Sequence, residues 1–313
     1  MSKISLLIPA HNEEASIPAL YKSIRSVIDL LDSYEWEIMF VDDGSTDDTA
    51  RCVLNLRRSD SRVNLLSLSR NFGKEAAMLA GMDYVSGDAT VIMDADGQHP
   101  VDKVSEMLEL WQQGYDDIFA VRKKRDTDSW LRRRLSLMYY KLMQSAAEGT
   151  VLPNAGDFRL LDRRCVDTLR HLRESKRYTK GLYSWMGFKK HSIEYEPAER
   201  NAGKSNYSMG KLFALAVDGI TSSSTKPLRL ASILGCVIAV TSFIYMVYML
   251  LKTIIYGDPV TGFPTLICVI LFLGGTQLLT IGIMGEYIGR IFVESKHRPP
   301  YVADRINNEK IRL

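Results

Sequence analysis

Val91-Ile92-Met93-Asp94-Ala95-Asp96 runs an apolar strand directly into two carboxylates one residue apart. In an extended chain, residues i and i+2 project from the same face. Asp94 and Asp96 can therefore aim at one point. If the strand belongs to an open α/β sheet, that point lies past its carboxyl edge, where such sheets hold ligands. Two hard oxygen donors suit Mg²⁺ or Mn²⁺ carrying the phosphates of a bound molecule. An isolated Asp-x-Asp is as easily a solvated turn, so the assignment depends on the elements around it.

Those elements alternate. Ile4 to Pro9 reads as a strand, Ala15 to Leu31 as a helix, and Glu37 to Val41 as a strand ending in Asp42-Asp43-Gly44-Ser45. Ser45-Thr46-Asp47-Asp48 supplies the hydroxyls and acids that open a helix. Val63 to Leu68 is a third strand, Lys74 to Val85 a helix, Ala89 to Met93 a fourth strand, Val101 to Trp111 a helix and Ile118 to Val121 a fifth strand. Apolar strands alternating with helices predict an α/β fold with a mostly parallel sheet and flanking helices. No Gly-x-Gly-x-x-Gly follows a strand and no Walker lysine motif is present, which argues against Rossmann dehydrogenases and P-loop enzymes.

The formal net charge of +3 gives nucleic-acid binding no bulk electrostatic support. The four cysteines are scattered without a Cys-x-x-Cys pair, which suits a reducing compartment and argues against a zinc knuckle. His11, His99, His171, His191 and His297 share no metal-ligand spacing. Ile4 to Ile8 is too short for a signal peptide and runs into Pro9. Two apolar runs follow, Leu228 to Leu251 and about Phe263 to Ile283, the second continuing more weakly to Val293. Each meets the roughly 20 residues needed to cross a bilayer. Lys226 and Arg229 precede the first run, and Arg290, Lys296 and Arg298 follow the second, which places both ends in the cytoplasm. Glu286 and Arg290 are spaced to pair with each other or to face headgroups. Ser208 to Ser224 fits a helix at the membrane surface or one in the core. The expected organisation is a cytoplasmic domain over 1–207, a juxtamembrane amphipathic helix over 208–227, a two-helix transmembrane hairpin over 228–293 and a cytoplasmic tail over 294–313.

Pro9-Ala10-His11-Asn12-Glu13-Glu14, Val41-Asp42-Asp43-Gly44-Ser45 and Asp94-Ala95-Asp96 together resemble the family-2 glycosyltransferases of GT-A fold. Ser69-Arg70-Asn71-Phe72-Gly73-Lys74, Asp96-Gly97-Gln98-His99-Pro100, Gly156 to Arg163 and Gly285-Glu286-Tyr287-Ile288-Gly289-Arg290 narrow the resemblance to polyisoprenyl-phosphate glycosyltransferases, of the O-antigen-modifying bactoprenol glucosyltransferase type. It spans Ile4 to about Pro300. The resemblance implies a nucleotide-sugar site using Pro9, Glu13, Asp42, Asp43, Lys74 and Asp94, and a Mg²⁺ or Mn²⁺ held by Asp94, Asp96 and Gln98. Asp42 and Asp43 have helix capping as the alternative role. Asp96 and Asp157 are the implied catalytic residues. Asp157 is the family's candidate base, but a phosphate monoester is already largely dianionic near neutrality, so positioning the acceptor stands beside base catalysis.

The acceptor phosphate calls for cations, with Arg122, Arg132 to Arg134, Arg159, Arg200 and Lys204 the candidates, and Ser205 is placed beside them as a neutral acceptor-binding residue. Arg132-Arg133-Arg134 is equally a solvated helix face or a patch for anionic lipid. Arg200 to Tyr207 resembles a family loop closing over donor and acceptor, with Asn206 where the family more often has lysine. The expected function is inverting transfer of one sugar, glucose from UDP-glucose, to undecaprenyl phosphate at the cytoplasmic face of the bacterial inner membrane. The alternatives are another sugar (formyl-aminoarabinose, mannose or N-acetylglucosamine) or a non-catalytic membrane scaffold. The expected partners are membrane lipid, a flippase and a downstream transferase, and further copies of the chain, with a tetramer plausible. A processive synthase would carry Gln-x-x-Arg-Trp and more spans, and neither is present.

Overall fold

The computed structural model describes residues 1–122, 155–174, 177, 179–196, 226–256 and 262–311. The chain forms two compact units, Met1–Phe213 with Arg298–Leu313, and Ala214–His297.

In the first unit, β1 (Lys3–Ala10), β2 (Glu35–Asp42), β3 (Val63–Leu68) and β4 (Ala89–Ile92) form the parallel centre of the sheet. Their residues are apolar on both sides because helices cover both faces. On β1, Ile4, Leu6 and Ile8 enter one core and Leu7 enters the other. α1 (Ile17–Ile28) presents Ile17, Leu20, Tyr21, Ile24 and Ile28 to the first core at helical spacing. α2 (Thr49–Ser59) and α4 (Lys103–Gln112) join it there through Val53, Val104, Met107 and Leu108. α3 (Lys74–Tyr84) lies on the opposite face and is buried from Ala77 to Met82. It approaches the sheet closely at Gly81, where a Cβ would meet Leu7 Cδ1 at 2.0 Å.

Beyond β4 the topology departs from the simple alternation read in the sequence. With β5 (Asp117–Arg122), β6 (Ala155–Asp162), β7 (Lys190–Tyr195), β8 (Ala303–Ile306) and β9 (Glu309–Lys310), the strand order is β7-β5-β6-β4-β1-β2-β3-β8-β9 among the described residues. β6 inserts antiparallel between β4 and β5. It is followed by α5 (Arg163–His171), capped by Asp162, whose carboxylate accepts from the Arg164 amide at 2.9 Å, and by α6 (Thr179–Trp185). The C-terminal residues read as a tail in fact extend the sheet. β8 (Ala303–Ile306) pairs antiparallel with β3, and β9 (Glu309–Lys310) pairs with β8. Four residues, two of them charged, carry too little periodicity to announce a strand. The free edge of β3 supplies the pairing instead.

In the second unit, α7 (Lys226–Tyr256) and α8 (Phe263–Ser295) contact each other. Thr241, Thr276 and Thr280 donate their hydroxyls to the carbonyls four residues back, at 2.8, 2.8 and 2.9 Å. Arg290 pairs with Glu286 one turn earlier at 2.8 Å. Among the described residues no helix is long and apolar enough to cross a membrane. The fold therefore supports the two helices but not the transmembrane hairpin expected from the sequence. The proposed juxtamembrane helix falls almost wholly outside the described residues.

Candidate active site

The carboxyl ends of β1, β2 and β4 open onto a cavity of about 220 Å³ lined by Pro9, Ala10, His11, Glu13, Asp43, Lys74, Ala77, Asp94, Ala95 and Asp96. Two loops build its first wall by hydrogen bonding along their length. Asn12, at φ +56°, receives the Thr46 amide on its side-chain oxygen at 2.8 Å and donates its own amide to Ser45 Oγ at 3.0 Å. The Glu13 amide donates to Thr49 Oγ1 at 2.8 Å, and Glu14 Oε2 accepts from the Asp48 amide at 2.9 Å. This pairing turns the half-buried Glu13 side chain into the cavity wall.

Asp42 and Asp43, equivalent in the sequence reading, have different tasks. Asp42 is buried, its Oδ1 accepts from the Ser45 amide at 3.0 Å, and it does not line the cavity. It shapes the turn. Asp43 lines the cavity and ties down the next loop, accepting from the amides of Phe72 at 2.7 Å and Gly73 at 2.8 Å. His11 bridges the same pieces. With Nδ1 protonated it donates to the Asp43 carbonyl at 2.9 Å, and its Nε2 accepts from Asn71 Nδ2 at 3.0 Å. Spacing in the sequence assigned His11 no role, although it sits inside the Pro9–Glu14 motif.

The carboxylate pair follows β4. The Asp96 carboxylate accepts from the Gln98 amide at 3.0 Å, closing a tight turn with Gly97 at φ +72°. Gln98 is not among the cavity-lining residues. The Asp94 amide donates to His99 Nδ1 at 3.0 Å. The His99 ring stacks on Phe158 at 4.8 Å with 9° between the planes. Burial pushes the imidazole below its ordinary pKa, outweighing the pull of Asp94 and Asp96. His99 is thus a neutral prop, a second histidine that spacing alone did not reveal.

Asp157 reaches the site because β6 is antiparallel to β4. Ile92 pairs with Arg159, and continuing that register by two residues sets Asp157 level with Asp94. Lys74, the first residue of α3, joins them. Its Nζ lies 2.6 Å from Asp94 Oδ1 and 2.7 Å from Asp157 Oδ2. Burial alone would lower the lysine pKa and raise that of Asp157. The opposite charges prevail, so Lys74 moves up and Asp157 moves below the ordinary carboxylate range. Among the described residues, Asp157 Oδ1 is buried without a hydrogen-bond partner. The adjacent Glu75, absent from the sequence reading, accepts from Thr179 through both amide and hydroxyl, fixing α6 against α3.

Arg159 requires a correction. Read as a phosphate ligand, it is 2% exposed and pairs with Asp117 at 3.1 and 3.2 Å. Its guanidinium stacks 3.4 Å from the centre of the Tyr183 ring and donates to the Gly156 carbonyl at 3.1 Å. Its position on an inward-facing strand residue commits it to the core. Arg122 ends β5. Arg132 to Arg134, Arg200, Lys204 and Ser205 lie outside the described residues.

Asp94 and Asp96 offer hard oxygen donors suited to Mg²⁺ or Mn²⁺, and a lysine already answers the local demand for positive charge. Among the described residues no three His, Cys, Asp or Glu side chains are grouped to hold a metal ion. A cation here would take its remaining ligands from bound phosphates and water.

The chain belongs to glycosyl transferase family 2, which its residues 5–170 match. It is a glycosyltransferase with a GT-A type α/β fold and a mostly parallel sheet. Residues 226–291 match the family described as the GtrB C-terminal hairpin. Over 308 residues the chain is 46% identical to the bactoprenol glucosyl transferase of Shigella phage SfV, covering 98% of this chain and 99% of the relative. It is 44% identical over 304 residues to the prophage bactoprenol glucosyl transferase homolog of Escherichia coli strain K12, covering 97% and 99%. A solved structure of glucosyl-3-phosphoglycerate synthase from Mycobacterium tuberculosis, with Mn²⁺, UDP-glucose and phosphoglyceric acid, is similar with a TM-score of 0.46 and 22% identity, over 70% of this chain and 78% of that one.

Proposed function

We propose that this chain transfers one glucose from UDP-glucose to undecaprenyl phosphate at the cytoplasmic face of the bacterial inner membrane, with inversion at the anomeric carbon. The observation that carries the reading is the meeting of Asp94 and Asp157 on Lys74, with Asp96 in the same cavity wall. The names of the two relatives support the glucosyl group and the polyprenyl carrier.

Glu13 faces the cavity and would accept hydrogen bonds from the base or ribose of the donor. Asp43 holds the 70–73 loop that carries Lys74. Mg²⁺ or Mn²⁺ on Asp94 and Asp96, when bound, would offset charge on the departing diphosphate. Asp157 is held in its anionic form, which makes it a weak base, and a phosphate acceptor needs no deprotonation. Its role in this reading is to position the acceptor. One in-line displacement by the lipid phosphate then inverts the configuration.

The membrane reading is supported by the full sequence, which carries no charge from Leu230 to Leu251 or from Phe263 to Gly285. The described side chains of α7 and α8 also leave large apolar groups exposed, Ile254 at 78% and Leu278 at 72% among them. Such a surface requires an apolar cover.

The test is transfer of radiolabel from UDP-glucose to undecaprenyl phosphate in membranes, with and without EDTA, beside Asp96→Ala. Chelator-sensitive label in the lipid phase, missing in the variant, is expected. Transfer only from a different nucleotide sugar would overturn the donor. Failure with every donor, from folded membrane-bound protein, would overturn the reaction.

A further inference from the structure

Among the described residues, Lys74 is the lysine in direct contact with both Asp94 and Asp157, while the charges of Lys180 and Arg159 also favour the anionic form of Asp157. Lys74 also occupies Asp94 Oδ1 at 2.6 Å, an oxygen that the proposed metal would use. A metal held by Asp94 would meet the lysine there.

We propose that Lys74 is the resident counter-ion of the donor site, bridging Asp94 and Asp157 until a divalent cation takes Asp94, and remaining with Asp157 thereafter. This rests on the metal role proposed above for Asp94 and Asp96. The lysine is built to change partners without leaving. Its backbone is pinned on one side by the Gly73 amide donating to Asp43 at 2.8 Å, and on the other by Glu75 holding Thr179. Its contact with Asp157 at 2.7 Å meets the less exposed of the two carboxylates, whose other oxygen is buried with no hydrogen-bond partner among the described residues. That carboxylate cannot give up its cation cheaply. Asp94 is the more exposed, keeps the His99 prop on its amide and can exchange ammonium for metal. An ammonium has three N–H donors. Releasing Asp94 would free one for a phosphate oxygen of the donor, so cation and nucleotide would favour one another's binding.

The experiment is Mn²⁺ binding to the full-length chain in detergent, followed by loss of the free-ion paramagnetic resonance signal, with and without UDP. Wild type is expected to bind weakly alone, with UDP tightening it by about fivefold or more. Lys74→Met is expected to bind Mn²⁺ about fivefold or more tightly than wild type without UDP, and to gain less from UDP. Lys74→Arg, which keeps the charge, should stay near wild type. Lys74→Gln replaces the methionine variant if that one does not fold. Equal or weaker Mn²⁺ binding in the neutral variant, with binding still lost in Asp96→Asn, overturns the counter-ion role and leaves the metal reading intact. Mn²⁺ binding unaffected by Asp96→Asn overturns both.

Discussion

Gly44 passes so close to Arg70 that a Cβ there would sit 2.4 Å from the Arg70 carbonyl carbon, at a residue whose φ is already +63°. The turn after β2 and the loop after β3 are thus packed backbone to backbone, next to the amides that bind Asp43. Gly44→Ala should cost at least about 3 kcal/mol, combining left-handed strain with a clash that only backbone movement relieves. Gly114→Ala is the matched control. It has φ +85° with nothing within 4 Å of the added carbon, so about 1–2 kcal/mol of strain is expected. Chemical denaturation and UDP titration of both variants check this. Equal losses in the two would mean that the close approach carries no weight.

Arg159 belongs to the interior. Its pairing with Asp117, with both side chains nearly inaccessible, predicts that Arg159→Met costs about 3–5 kcal/mol by stranding a buried carboxylate. Adding Asp117→Asn should recover part of that loss. Stability and acceptor KM are measured together. A stable Arg159→Met with a raised KM for the lipid phosphate would return this residue to the acceptor site.

The parallel centre of the fold was legible because its strands are apolar runs and its helices amphipathic. The Asp94–Asp96 pair and the Pro9–Glu14 loop were legible because strand ends in such sheets face one edge. What escaped was the consequence of antiparallel insertion. Nothing local in Gly156 to Asp162 says that β6 slides between β4 and β5, yet that register levels Asp157 with Asp94 and turns Arg159 inward. The division of labour between Asp42 and Asp43 escaped for a similar reason. Neighbouring carboxylates look alike in sequence, and only the Ser45, Phe72 and Gly73 amides distinguish them. Lys74 was found by motif, but its bridging position depends on two strands and a helix meeting.

The C-terminal strand is expected to be structural rather than a dispensable tail. Asn307 accepts from the Leu65 amide at 2.9 Å through its side chain and donates its own amide to the Leu65 carbonyl at 2.8 Å. Tyr301 donates to Asp83 at 2.5 Å, where Arg173 also binds at 2.7 Å. Asn307→Ala should cost about 1–3 kcal/mol by leaving the Leu65 amide unsatisfied. Truncation after Pro300 should expose the whole β3 edge and lower the thermal midpoint further. A truncated chain that melts with wild type would show that β8 adds nothing.

Asp60 gives the clearest pH dependence. Burial raises its pKa, but Arg62 reverses this with side-chain bonds at 2.9 and 2.8 Å and its amide at 3.0 Å, and Tyr21 adds a hydroxyl at 2.8 Å. The net result is a carboxyl lowered from 3.8 to about 2. A depressed acid stabilises the fold fully above its unfolded value, and that stabilisation is lost as pH falls through the folded value. The contribution is about 2 kcal/mol near neutrality. Asp60→Asn should therefore be less stable than wild type by about that amount at roughly pH 7. The gap should close between about pH 4 and pH 2. Denaturation midpoints of the two chains across that window provide the measurement. A gap that stays constant down to about pH 2 would mean that the Arg62–Asp60 pair acts through packing rather than charge.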